Sequence, residues 1–207
     1  MGLAASAAET FHRHFVLDER AAVLAAYIVP LLPPGANILD VGAGDGKVSR
    51  AIIERSRSAR VTGVDTFVRR ETAIHVEHCD GTTLPFEDDA FDVAMAVDVL
   101  HHSLHAELLL KEMKRVAKLI VIKDHLAHGK FSRAQLRVMD WVGNDSKGVK
   151  LPCNYLSLEQ WEKTWNRVGL RIESIETRMK LYRPPIGFLA NRGLHLLASL
   201  STDNASA

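Results

Sequence analysis

The chain has 207 residues, 47% hydrophobic and 25% charged, with 26 Lys+Arg against 25 Asp+Glu, the size and balance of one globular domain spanning 1–207. Folding at this length buries about 70% of the surface the unfolded chain exposes, so one large core needs neither disulfides nor structural metal. A formal net charge of +1 supplies no field that would concentrate a polyanion, which argues against nucleic acid as a partner.

No run approaches the roughly 20 apolar residues of a membrane helix, and the longest candidate, Ala21 to Leu32, is interrupted by Tyr27 and Pro30. Two distant cysteines, Cys79 and Cys153, and an Ala-rich start without a basic or long apolar leader region point to a reducing, cytoplasmic setting. Met1 to Ser6 fits a myristoylation pattern that also arises by chance, and a frayed terminus is the plainer expectation.

In chain order, the spacing predicts an opening helix over 18–32, capped by Asp18 and ended by Pro33-Pro34-Gly35. A strand follows at Asn37 to Val41, then a glycine turn and a helix from Lys47 to Arg57. Further strands are expected at Arg60 to Val64, Ile74 to Cys79, Phe91 to Val97 and Leu119 to Lys123, with a helix from Ser103 to Lys118. Apolar strands alternating with helices predict a parallel sheet covered on both faces, hence an α/β, doubly wound fold.

Residues 125–155 are more polar and read as a lid-like insertion carrying a helix from Phe131 to Val142. Ser157 and Gln160 form a capping box that opens a helix to about Val168, stopped by Gly169. Strands at Leu170 to Glu176 and Gly193 to Leu200 are expected to pair antiparallel at the sheet edge, and Ser201 to Ala207 reads as disordered. That makes seven strands.

The segment Asp40-Val41-Gly42-Ala43-Gly44-Asp45-Gly46 joins a strand to a helix at the carboxyl edge, where open α/β sheets bind ligands. Its glycines are spaced G-x-G-x-G, whereas a dinucleotide fingerprint places the third glycine further on. The Asp40 carboxylate would repel a phosphate and attract a cationic amino group. The turn therefore suits a ligand without phosphates better than a nicotinamide dinucleotide.

This DVGAGDG segment resembles the first motif of class I S-adenosylmethionine-dependent methyltransferases, in particular small-molecule, type 11-like enzymes with a seven-stranded Rossmann-like sheet. Asp65 matches the family's acidic residue that accepts from the ribose hydroxyls, and Asp80-Gly81 matches its adenine contact. The resemblance extends through Leu84 to Asp92 and Val97 to His102, and it implies S-adenosyl-L-methionine as cofactor, with S-adenosyl-L-homocysteine as product. The implied cofactor contacts are Asp40, Gly42, Ala43, Gly44, Gly46, Asp65, Thr66, Asp80, Gly81 and Val97.

A methyl on a sulfonium is already activated, so such an enzyme chiefly aligns its acceptor, adding a base where the acceptor is a hydroxyl or a protonated amine. His101, His102, His105, His125 and His128 cluster after the fourth and fifth strands, with His101 and His102 the leading candidates for that base. A metal reading rests on His101 and His105 at helical spacing with Asp98 and Asp124 at neighbouring strand ends, but no metal site is assigned. The base-methylating Asn/Asp-Pro-Pro turn is absent after strand four, where Asp98-Val99-Leu100 stands, and Pro152-Cys153 lies in the insertion. The expected activity is methyl transfer to O, N or C of a small-molecule acceptor. The alternatives are an NAD(P) oxidoreductase and a non-catalytic cofactor-binding partner subunit.

Overall fold

The computed structural model describes residues 19–144, 154–184 and 187–202, with the side chains of 140–144 excepted. The expectations placed on Met1 to Ser6, Asp18 and Pro152-Cys153 lie outside the described residues. Helix α1 (Glu19–Ile28) continues into a short 3-10 turn, Val29–Leu31, because Pro30 has no amide to extend the α ladder. Then come β1 (Asn37–Val41), α2 (Lys47–Arg55), β2 (Arg60–Asp65), β3 (Val76–His78), β4 (Phe91–Val97), α3 (Ala106–Val116) and β5 (Ala117–His125). The chain closes with α4 (Lys130–Asn144), α5 (Leu158–Arg167), β6 (Leu170–Glu176), the short α6 (Gly187–Ala190) and β7 (His195–Thr202).

The seven strands form one sheet in the order β3-β2-β1-β4-β5-β7-β6. β1 to β5 pair in parallel, and β7 runs antiparallel between β5 and the edge strand β6. Strand order reverses between β1 and β4, which opens a crevice at their carboxyl ends.

Both faces of the central strands are buried, and alternate residues serve opposite sides. Leu39, Ala94 and Ile120 pack with Leu109, Leu110, Met113 and the stacked Trp161 and Trp165 of α3 and α5. Ile38, Val93, Met95 and Val121 pack with Leu24, Ile28 and Ile52 of α1 and α2. A strand buried on both faces has no polar side to display, hence the near-continuous apolar runs.

Several expected boundaries move. β5 extends past Lys123 to His125, because β7 pairs with it as far as His195 and the buried Lys123 and Asp124 find partners in Asp98 and His101. Ser201 and Thr202 are not disordered: they finish β7, bonded to β6, with Thr202 Oγ1 donating to Lys118 O at 3.1 Å. The helix expected from Ser103 starts only at Ala106, behind a 3-10 turn at Leu100–His102, so His101 and His105 do not share a helix face. The capping box is formed as predicted: Gln160 N donates to Ser157 Oγ at 3.3 Å and Ser157 N to Gln160 Oε1 at 2.9 Å. Between β2 and β3 the chain crosses without a helix, leaving Phe67 75% exposed beside Asp65.

Candidate functional site at the carboxyl edge

The glycine turn is drawn toward β2 by two amides, Gly42 N and Ala43 N, which donate to Val64 O at 2.8 and 3.0 Å. Gly46 N donates to Ala43 O at 2.9 Å, and Gly42, Gly44 and Gly46 all hold positive φ, a conformation that a Cβ disfavours. The space beside these glycines is mostly taken by protein. A Cβ on Gly42 would lie 2.4 Å from Val99 Cγ2, and one on Gly46 would lie 2.7 Å from Ile74 Cγ1. Gly44 alone among the three keeps an ordinary distance, 3.5 Å, to its nearest neighbour, the Arg69 guanidinium.

Asp65 closes this crevice from β2. Its Oδ2 accepts from Gly44 N at 2.8 Å and its Oδ1 from Phe67 N at 2.9 Å. An ionised carboxylate offers about four acceptor positions, so these two bonds hold Asp65 in place while leaving capacity for hydroxyl donors. Asp80 Oδ1 accepts from Thr82 N, Thr83 N and Thr82 Oγ1 at 2.7, 2.7 and 2.9 Å, which holds the exposed carboxyl below its usual range. Thr66 braces the Asp80-Gly81 turn, since a Cβ on Gly81 would meet Thr66 Cγ2 at 2.8 Å. The acceptor-rich pair of Asp65 and Asp80 at the glycine turn fits the O–H and N–H donors of a nucleoside.

Asp40 is directed differently from the expectation of a carboxylate facing a ligand's amino group. It is buried beneath the turn, accepts from Ser49 Oγ of α2 at 2.6 Å, and burial pushes its pKa up to about 7.

Beyond β4 stands a buried polar cluster. Asp98 has a φ of +57°, rare for a residue with a side chain, and its carboxylate is held by Arg20 of α1 and Lys123 of β5. Burial opposes its charge, but Lys123 and Arg20 outweigh it and hold the carboxyl well below the usual range. Lys123 is fully buried, which draws its ammonium down despite Asp98. His195 donates from Nε2 to Ala190 O at 3.0 Å and so presents Nδ1 as the acceptor to Lys123 Nζ at 3.4 Å. Burial and the neighbouring Lys123 keep that ring neutral.

Next to it, Asp124 Oδ1 accepts from His101 Nδ1 at 2.6 Å and from His125 N at 2.6 Å, while Oδ2 accepts from Leu100 N at 3.0 Å. Burial pushes the Asp124 carboxyl up, but its bond to His101 outweighs this and leaves it below the ordinary value. The carboxylate fixes Nδ1–H on His101, which makes Nε2 the basic nitrogen. His101 packs on His102, His125 and Tyr155 with ring centroids 3.7, 4.6 and 5.6 Å apart. Because Val99 lies against Gly42, this cluster abuts the glycine turn.

Of the five clustered histidines, the fold brings together His101, His102 and His125. His105 stands exposed ahead of α3, and exposed His128 bonds Gly193 O at 2.6 Å. Asp98 and Asp124 are occupied by protein cations and N–H donors. Sequence reasoning missed Arg20, Lys123 and His195. A lysine inside an otherwise apolar strand was the available signal for a buried pair, whereas His195 reaches the site only through the pairing of His125 with His195.

The methyltransferase domain family matches residues 12–175. The chain is 32% identical over 142 residues to a 2-methyl-6-phytyl-1,4-hydroquinone methyltransferase of Synechocystis, covering 64% of this chain and 38% of that protein. It is 26% identical over 131 residues to the ubiquinone/menaquinone biosynthesis C-methyltransferase UbiE of Paraburkholderia phymatum, covering 54% of each. The chain thus spans about half or less of the length of these curated relatives. In fold it is similar to an S-adenosylmethionine-dependent methyltransferase from Mesorhizobium loti, with a TM-score of 0.63 at 22% identity, covering 85% of this chain and 96% of that one. With the seven-stranded order and the glycine turn in place, the chain belongs to the methyltransferase domain family, in its class I, S-adenosylmethionine-dependent form.

Proposed function

We propose that this chain transfers a methyl group from S-adenosylmethionine to a small, partly apolar acceptor. The observation that carries the reading is the Asp65 carboxylate fixed on Gly44 N in the glycine turn, where a flexible Arg69 guanidinium is the nearest neighbour of Gly44, backed by the buried His101–Asp124 pair. When bound, the cofactor supplies a methyl already activated by its sulfonium. Asp65 receives the ribose hydroxyls and Asp80 the exocyclic amine, while Gly42, Ala43, Gly46, Thr66, Gly81 and Val97 shape the walls.

His101 acts as the base for an acceptor hydroxyl or ammonium, with Asp124 as its positioning residue. His102, stacked on His101, stands beside it as the second candidate. A quinol-like acceptor is supported by the names of the relatives, and the near-neutral charge supports a small molecule over a nucleic acid. Among the described residues no helix is long and apolar enough to cross a membrane, and we read the setting as cytoplasmic.

Calorimetric titration with S-adenosylhomocysteine tests the cofactor half. Asp65→Ala is expected to weaken binding by about 1–3 kcal/mol, the cost of leaving polar partners unpaired. Unchanged affinity removes Asp65 from the site, and no uptake by the unaltered protein refutes the reading.

A further inference from the structure

Residues 177–184 leave β6 and residues 187–194 lead into β7 at the same carboxyl edge, because β6 runs parallel to β5 on the far side of antiparallel β7. The segment alternates: Met179 and Leu181 are buried in the cluster under α1, while Arg178 and Lys180 face outward. It is a built loop. Tyr27 Oη of α1 accepts from Lys180 N at 3.2 Å, and Asn191 Oδ1 accepts from Leu181 N and Tyr182 N at 2.9 and 3.1 Å. Asn191 Nδ2 donates to Tyr182 O at 2.7 Å, and α6 lies so close that a Cβ on Gly187 would sit 2.2 Å from the same oxygen.

Between the two limbs lies a cavity of about 440 Å³ lined by Arg178, Lys180, Tyr182, Phe188 and Asn191. Neither cationic side chain has an ion-pair partner among the described residues. The nearby carboxylates are engaged elsewhere, Glu176 by Arg178 N at 2.5 Å and Glu19 by Arg183 at 2.5 Å. Phe188 is 70% exposed at the rim, an apolar surface that a flat ligand would cover. Two uncompensated cations beside aromatic walls select an anion with an apolar ring, the guanidinium pairing bidentately with carboxylate or phosphate. The Tyr182 wall of the cavity packs toward the candidate site, its ring 5.9 Å from that of His195, which adjoins His125 at 5.6 Å.

We propose that this cavity is an anion subsite that takes a small aromatic carboxylate or phosphate and sets the class of acceptor; only its link to the acceptor rests on the methyl-transfer reading. The test is ligand-observed NMR titration of the full chain with benzoate, phenyl phosphate, benzyl alcohol and inorganic phosphate. The aromatic anions are expected to bind at least tenfold more tightly than benzyl alcohol or inorganic phosphate, and the stronger of the two anions identifies the natural headgroup. The Arg178→Glu/Lys180→Glu variant, altered at two exposed positions, is expected to lose at least tenfold in anion affinity while binding S-adenosylhomocysteine as before. Equal binding of benzyl alcohol, or an unaffected double variant, overturns the subsite. Transfer RNA held through the same two cations in place of the aryl anions overturns it as well. Charge-dependent anion binding without any uptake of S-adenosylhomocysteine sinks the methyl-transfer reading and leaves the subsite standing.

Discussion

Gly42→Ala separates two reasons for a glycine in the turn. The backbone there has a φ of +76°, and the added Cβ would lie 2.4 and 2.9 Å from the two Val99 methyls. Holding an L-residue in the left-handed region costs about 1–2 kcal/mol, and forcing a methyl into occupied space costs about 1–3 kcal/mol more. The single variant is therefore expected to lose about 2–5 kcal/mol. Val99→Ala removes the two offending methyls and leaves the Val99 Cβ 3.2 Å away, so the double variant recovers the steric part and retains the backbone part, about 1–2 kcal/mol.

Urea unfolding of the four proteins, at unchanged slope, measures this as a coupling energy. Gly44→Ala supplies the contrast: its φ is +62° but its Cβ has no clash, so only the backbone cost of about 1–2 kcal/mol appears, together with a loss of S-adenosylhomocysteine affinity. Additive effects of Gly42→Ala and Val99→Ala, or a Gly42→Ala protein within about 0.5 kcal/mol of the parent, would show that Val99 does not pin the turn.

His101→Ala is expected to lower turnover about 100-fold or more, the usual scale for a general base, with S-adenosylhomocysteine affinity preserved; equal losses in both would make the ring structural. Asp124→Asn should move the pH profile of turnover by depriving His101 of its partner, a shift that damage to packing alone would not produce. Asp40, at about pH 7 in the fold against 3.8 ordinarily, binds its proton more tightly when folded. Its stabilising contribution is thus present below pH 3.8 and lost as pH rises to 7, by roughly 4 kcal/mol in all. Asp40→Asn should flatten the stability curve in that window; neutral His195 acts in the opposite direction below pH 6.5 in both proteins and cancels in the difference. Asp98→Ala strands Lys123 and Arg20 without their anion and should cost about 3–5 kcal/mol, and denaturation showing a loss below about 1 kcal/mol would refute a matched ionic cluster.

The elements around Gly42–Gly46 were legible because each signal is local: an apolar run, three glycines, then helical spacing within a few residues. The ends of β5 and β7 were not, because their polar residues are satisfied from elsewhere in the chain. Lys123 looks like a strand terminus until Asp98 is placed against it, and Ser201 and Thr202 look like a polar tail until β6 pairs with them. The start of α3 was misread for a similar reason. Asp124 takes the amide of Leu100 and the ring of His101, and so holds Leu100–His102 in a tighter turn ahead of the helix. The glycines were recognised, but their partners were not. Spacing shows that a turn lacks side chains, whereas only the packing shows that Val99 and Ile74 fill the space beside Gly42 and Gly46 and that Gly44 meets only the Arg69 guanidinium, at 3.5 Å.

The distribution of buried charge carries the functional argument further than any one residue. Among the described residues, the buried Asp, Lys and His side chains are Asp40, His101, Lys123, Asp124, His125 and His195, and they all lie at the carboxyl edge of the sheet. The sheet centre, by contrast, is apolar on both faces. Stability does not account for this, since well-packed apolar residues in place of a buried ionic cluster are commonly neutral or better. Chance does not account for it either, because both arms of the β5–β7 pair contribute and Arg20 reaches in from α1. What the arrangement does provide is a set of fixed dipoles and one imidazole oriented by Asp124, at the carboxyl edge that also carries the glycine turn and where this class of sheet holds its ligands. Buried Asp, Lys and His side chains gathered at that edge are the placement that the proposed methyl transfer calls for.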